Sequence, residues 1–245
     1  MRKIIFFWIL LLVRPQAQDL HIQSKDLPCV NKHFNLMIHI VVDSLRKPGI
    51  DVSTIMGTIT GANYHFAPIC ASFSVCGVDT IHNYAFDSIE DMDKRNELLA
   101  LHQKPNVINV YYVDYILTPS VCGLSGLGTL IKKSCPGSIT HEFGHLFGLS
   151  HTFEGNGIEL VNGANCDVAG DGICDTPSDP FVPDSPPGKY ASGCEFVFTG
   201  KDANGEYYQP DIGNIMSYYG CDCGFTREQY LVMANTIVNS FINLW

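Results

Sequence analysis

Beyond its first residues the chain has no apolar run long enough to cross a bilayer, so stable membrane insertion is not expected. It also has no internal repeat and no low-complexity tail. Positive charge is scarce: 15 Lys and Arg face 25 Asp and Glu, for a formal net charge of −10. That balance disfavours nucleic acid and anionic membranes as partners.

What is present begins with Met1, Arg2 and Lys3, an apolar run over residues 4–13, and then Arg14, Pro15, Gln16, Ala17 and Gln18. This reads as a secretory signal peptide over residues 1–18, cut after Ala17 or Gln18 and too short to span a bilayer stably, with an uncleaved membrane anchor as the second reading. Without Arg2, Lys3 and Arg14, 12 basic residues remain against 25 acidic ones, a net charge of −13. The remaining length suits one domain with a real core, split by a cleft into two subdomains. All ten cysteines lie beyond the signal segment, and an even number in an exported chain implies disulfides. Their connectivity does not follow from the sequence. Cys221 and Cys223 stand too close to pair with each other, so each is expected to bridge elsewhere. The expected location is outside the cell, or a periplasm.

Residues 141–151 read His-Glu-Phe-Gly-His-Leu-Phe-Gly-Leu-Ser-His. His141 and His145 stand four apart, so on a helix both imidazoles leave one face and can hold one metal ion. Gly148, three past the second histidine, can take positive φ, end the helix and turn the chain so that His151 reaches the metal from outside. Three nitrogen ligands leave a fourth tetrahedral position open, as in catalytic rather than structural zinc sites. No cysteine falls at a natural offset from His151 to close it. Glu142 can lean over the metal without binding it and act as general base, so the pattern predicts a metalloprotease. Downstream, Asn214, Ile215, Met216, Ser217 and Tyr218 place a methionine in a short polar turn of the kind that lies beneath such a zinc site.

Around these motifs the chain organises readily. Residues 33–42 read as a buried strand, 51–64 as a helix with Val52, Ile55, Met56 and Ile59 on one face, 73–78 as another strand and 107–116 as a further one. That order predicts an α/β upper half with a twisted sheet. Residues 123–128, rich in glycine and including Ser125, Gly126 and Leu127, read either as an edge segment that accepts an extended peptide by strand addition or as a flexible surface loop. Ser138 is a candidate N-cap for the zinc helix, expected over about residues 138–148. From 152 to 213 the chain is irregular, which calls for restraint by disulfides through Cys166, Cys174 and Cys194 or by calcium. Asp167, Asp171 and Asp175 supply hard oxygens around Gly170 and Gly172, although a solvated acidic turn fits the same spacing. Thr226 and Gln229 form a capping box ahead of a closing helix whose apolar face is Tyr230, Met233, Ala234, Ile237, Val238 and Phe241.

Taken together these motifs resemble the pappalysin family of metzincin zinc metalloproteases. The likeness rests on the run 141–153, on 170–177 with its Asp175-Thr176-Pro177, on 214–218, and on Phe225 and Thr226 with Gln229. It implies a two-subdomain catalytic domain over residues 33–245 behind a short N-terminal or pro segment at 19–32, with zinc at the base of a cleft. The sheet would be twisted and mostly parallel, and the lower half irregular and disulfide-rich. The resemblance also implies endopeptidase activity on proteins or peptides, calcium near Asp167 to Thr176, and oxyanion stabilisation by Tyr218. Ser217 stands where the family more often has aspartate. Members that cut before Arg or Lys carry an acid shortly after the Met-turn, and Asp222 occupies that place. Cys29 is read either as a zinc-blocking cysteine of a zymogen or, as its context favours, as a half-cystine. Two other classes stand beside the endopeptidase: a non-catalytic secreted binding protein on the same scaffold, and an aminopeptidase.

Overall fold

The structure is a computed structural model that describes residues 27–240 apart from 127, 156 and 187. The expected signal peptide, most of the 19–32 segment, Leu127 and Phe241 lie outside the described residues. Strand β1 (Lys32–Val41) leads into helix α1 (Val52–Phe66) and strand β2 (Ala71–Ile81). Next come β3 (Ser88–Ile89), α2 (Met92–His102), β4 (Ile108–Val113), β5 (Tyr115–Ile116), β6 (Gly123–Leu124) and β7 (Thr129–Lys132). The zinc-motif helix α3 (Ile139–Leu146) follows, then the small pair β8 (Ala191–Ser192) and β9 (Glu195–Phe196), and finally α4 (Arg227–Ser240).

The main sheet has the order β2-β1-β4-β7-β6, parallel throughout except for the last pair, in which β6 runs antiparallel to β7. Both of its faces are covered, so β4 is buried at every position. Alternate side chains serve two cores: Ile108, Val110 and Tyr112 join one with α1, α3 and α4, while Tyr111 and Val113 join the other with Leu98 and Leu99 of α2. Helix α1 buries Ile55, Ile59, Ala62 and Phe66, whereas Val52 and Met56 of the expected face remain exposed.

Several expectations need correcting. The segment 107–116 is not one strand: the Asp114 N–H donates to the Asp87 carbonyl at 2.9 Å, which takes the chain out of the main sheet so that β5 pairs with β3 instead. Helix α2 carries no amphipathic signature and is absent from the sequence reading; Asp91 caps it by accepting from the Lys94 N–H at 2.8 Å. Ser138 stands ahead of α3 but does not cap it, because its hydroxyl donates to the Cys122 carbonyl at 3.3 Å and a short 3₁₀ turn over Pro136–Ser138 opens the helix. Val238 of the α4 face is half exposed. The capping box forms as expected, with Thr226 Oγ1 accepting from the Gln229 N–H and Gln229 Oε1 accepting from the Thr226 N–H at 2.9 Å.

Four disulfides join Cys29 to Cys70, Cys122 to Cys135, Cys166 to Cys174 and Cys194 to Cys221. Cys29 is therefore a half-cystine and not a metal ligand. Cys221 bridges as expected, but Cys223 stays free, as does Cys76. The irregular half between α3 and α4 contains two of these bridges and little regular structure beyond β8 and β9.

One buried ion pair closes the far end of the sheet. Lys133 Nζ donates to Asp87 Oδ1 and to the Val41 carbonyl, both at 2.6 Å. Lys133→Met leaves the Asp87 carboxylate buried without its partner, and we expect a loss of about 3 kcal/mol in urea denaturation. Adding Asp87→Asn should recover most of it, whereas an unchanged midpoint in the single variant would show the pair to be idle.

Candidate active site

Helix α3 sets His141 and His145 on one face, one turn apart. It ends in a Schellman turn, in which the Gly148 N–H donates to the His145 carbonyl and the Leu149 N–H to the Gly144 carbonyl, both at 3.0 Å. Gly148 has φ of +96°, and a Cβ there would come within 2.8 Å of Thr236 Oγ1 on α4. Both the conformation and the close approach therefore demand glycine. The turn brings His151 back toward the helix, with its Nε2 at 3.1 Å from His145 Nε2.

The tautomers are set by backbone carbonyls. His141 Nδ1–H donates to the Ile215 carbonyl at 2.6 Å and His145 Nδ1–H to the Leu149 carbonyl at 2.8 Å, which leaves each Nε2 as a lone pair. Burial, followed by the neighbouring imidazoles, pushes His141 down to about 4 and His151 down to about 3, and burial lowers His145 as well. All three rings are neutral at physiological pH, the form that binds a metal. Their ligand atoms lie within 4.8 Å of one another. Two nitrogens on one tetrahedral ion, each at about 2.0–2.1 Å from it, stand roughly 3.3 Å apart, close to the 3.1 Å between His145 Nε2 and His151 Nε2. The donor set fits zinc.

Beneath the triad lies the Met-turn. Met216 is fully buried, and its sulfur sits so close to Gly144 on α3 that a Cβ at 144 has no room. The turn is tied to its surroundings on several sides. Ile215 holds His141, the Met216 carbonyl accepts from the Thr152 N–H next to His151, and Asn214 pairs with Gln229 of α4 at 2.9 Å. Asp179 adds a further tie, accepting from the Thr152 hydroxyl and from the Tyr219 hydroxyl at 2.7 Å each. The glycine at 144, Asp179 and the ring of Phe153 stacked on His151 were not recognised as site residues in the sequence; only a three-dimensional pairing identifies them.

Glu142 is 4% exposed, and burial pushes its carboxyl up to about 8, with the Ser125 N–H pulling the other way. A cation beside it would favour ionisation. Tyr218 lies with its ring centroid 4.7 Å from that of His151 and 5.7 Å from that of His141; burial and the Glu142 charge raise its pKa, so it remains a donor. A cleft of about 950 Å³ opens over this group. Its walls include Gln103 to Ile108, Gly123 to Gly126, Glu142, His145, His151 and Tyr218. Ser125 and Gly126 thus stand at the cleft, next to β6 at the edge of the sheet.

The other expected site residues are not brought together. Asp222 is set against His65 of α1 and is not among the described residues lining the cleft. Asp167 is exposed, and Asp175 accepts from the Glu228 N–H at the start of α4 at 2.8 Å. Of the expected calcium ligands only Asp171 and Thr176 meet, at 2.8 Å. Among the described residues the histidine triad is the one group of three or more histidine, cysteine or carboxylate side chains close enough to share an ion.

A mostly parallel α/β half, an irregular disulfide-bonded half and three clustered histidines between them are the arrangement of a metzincin-type zinc metalloprotease. Residues 128–238 match the peptidase family described as Pregnancy-associated plasma protein-A. The chain is 26% identical over 250 residues to an extracellular metalloprotease of Podospora anserina, covering 90% of this chain and 77% of that protein. To an extracellular metalloprotease of Verticillium alfalfae it is 28% identical over 236 residues, 85% of this chain and 75% of the other. To one of Colletotrichum graminicola it is 30% identical over 125 residues, 47% and 37% of the two chains. The matched residues 128–238 take in the zinc helix, the Met-turn and most of α4, the stretches that carry the resemblance to the pappalysins.

Gly144→Ala tests the seat of the triad. The added methyl displaces Met216, and we expect a loss of about 1–3 kcal/mol in thermal denaturation together with weaker zinc binding by calorimetry. Unchanged zinc affinity would show that Met216 does not set the histidine positions.

Proposed function

We propose that this chain is a secreted zinc-dependent endopeptidase that cuts internal peptide bonds of extended protein segments. The observation that carries the reading is the open cleft in which the edge segment, Glu142, Tyr218 and two of the three histidines share one wall system. His141, His145 and His151 are the residues to hold zinc, which when bound supplies Lewis-acid polarisation of the scissile carbonyl and activation of water. Glu142 takes the proton from the attacking water and passes it to the leaving amine. Its buried position and the Ser125 N–H hold the carboxylate in place for both transfers. Tyr218, kept protonated, donates to the developing oxyanion, a contribution of about 3 kcal/mol.

The aminopeptidase alternative would need an acid to bind the free amine at the end of the cleft, and among the described lining residues Glu142 is the sole acid. The binding-protein alternative is disfavoured by an intact Glu142 in register with the triad. Preference for Arg or Lys after the cut rests on Asp222, whose place beside His65 weakens it. Export is supported by residues 1–18, by four disulfides and by the extracellular relatives; no helix among the described residues is long and apolar enough to cross a membrane.

Calcium is the expected ligand of Asp171 and Thr176, and the nearby charge of Glu159 supports that reading. Burial, then repulsion from Asp171 and Asp179, pushes Glu159 up to about 7, and burial pushes Asp171 up to about 6. Asp171 Oδ2 is buried with no partner. A hard dication would relieve both. Calcium should therefore raise the melting temperature of the wild type and not that of Asp171→Asn; equal shifts would remove this site.

The test of the activity is digestion of a denatured protein mixture, with and without a zinc chelator, followed by mass-spectrometric mapping of new termini. Internal, chelator-sensitive cuts are expected; cuts confined to chain ends would favour the aminopeptidase. Glu142→Gln should abolish cleavage with zinc retained, and Tyr218→Phe should lower kcat about a hundredfold. Wild-type turnover by the Glu142 variant would overturn the assignment.

A further inference from the structure

The edge segment 123–128 is gripped from two sides. Toward the zinc motif, Gly123 lies so close to the Glu142 carboxyl that no side chain fits, and the Ser125 N–H donates to the same carboxyl group. From the opposite side comes Arg95 of α2, whose Nη2 donates to the Gly128 carbonyl at 3.0 Å. Gly126, at φ of +137°, passes directly over that nitrogen, and a Cβ there would stand 2.8 Å from it. Gly128 leaves no room either, lying against Leu99 and the ring of Tyr111. The glycines of this segment are therefore moulded around specific side chains on both faces.

Arg95 is 5% exposed. Its Nε has no partner, and among the described residues no carboxylate lies within ion-pair distance of its guanidinium. Burying an arginine without a counter-charge is costly, and a leucine or methionine would fill the space between α2 and the sheet with no such penalty. Among the described residues, the one hydrogen bond that the Arg95 side chain makes goes to the backbone beside the cleft rim, at Gly128. β6 closes the sheet order, so its outer backbone edge is open toward the cleft.

We propose that Arg95 is a positioning residue for substrate: through Gly126 and Gly128 its guanidinium clamps the rim that begins at β6, at the height at which the rim's free edge pairs with an extended peptide. The inference rests on the endopeptidase reading, since it assigns that edge to the substrate. The grip from Glu142 is separate, so loss of Arg95 loosens the outer part of the rim and leaves the reacting groups in place.

The experiment compares wild type, Arg95→Met, Arg95→Lys and Gly126→Ala on a quenched-fluorescence decapeptide built around a mapped cut. We expect KM to rise about tenfold or more in Arg95→Met and Gly126→Ala while kcat changes by less than about threefold. Arg95→Lys should fall between, because it keeps one donor for the Gly128 carbonyl. Zinc content should be equal in all four, and amide exchange in Arg95→Met should accelerate within 123–128 and not in α3. A lower kcat at unchanged KM would mean a smaller folded fraction and would overturn the positioning role. If Arg95→Met does not fold, Arg95→Lys and Gly126→Ala decide by the same split. If the wild type cuts no peptide, the endopeptidase reading fails; amide exchange still decides whether Arg95 holds the rim, and unchanged exchange there refutes the clamp.

Discussion

Three imidazoles can share one metal ion only if the nitrogens that face it carry no proton, and here the three ligand nitrogens lie within 4.8 Å of one another. That constraint organises the centre of this molecule. Burial and mutual repulsion keep the rings neutral, and backbone carbonyls decide which nitrogen of His141 and of His145 is the lone pair. Those two carbonyls come from opposite directions. Leu149 is placed by the Schellman turn that ends α3, and Ile215 by the Met-turn more than sixty residues later in the chain. The catalytic helix and the irregular half are thus bound to each other through the groups that prepare the metal ligands. The packing of Met216 on Gly144 and the Asn214–Gln229 pair extend that linkage to α4.

The two halves contribute differently. The sheet, buried on both faces, backs α3 and presents β6 as the rim of the cleft. The half between α3 and α4 has too little regular structure to satisfy its backbone by ladders, and it uses short-range carboxylate turns and long-range side-chain ties in their place. Asp202, for example, accepts from the N–H groups of Val161, Asn204 and Glu206. Asp179 joins the residue after His151 to the residue after Tyr218. Disulfides close individual loops of this half, but the ties that reach the site are hydrogen bonds.

Much of this was legible in the sequence because the chemistry is local. Histidines four apart, a glycine three further on and a Thr-x-x-Gln box each encode one turn of backbone, and each forms as read. The failures share a different cause. Helix α2 was invisible because its inner face carries an arginine and two leucines in place of an apolar stripe, and the structure shows Arg95 occupied with the rim. The segment 107–116 looked like one continuous strand until the Asp114 N–H was seen to be claimed by Asp87, a partner that no periodicity announces. Cys223, expected to bridge, has no cysteine at hand once Cys221 is joined to Cys194. In every case the missing information was a long-range partner.

The central claim is that His141, His145 and His151 form a ready-made nitrogen site for one zinc ion. X-ray absorption at the zinc edge, taken on protein with its metal content counted, addresses it directly. The account predicts one zinc per chain with nitrogen and oxygen neighbours at about 2.0–2.1 Å and no sulfur. A sulfur shell near 2.3 Å, which would implicate Cys76 or Cys223, or a folded protein that takes up no zinc, would contradict it.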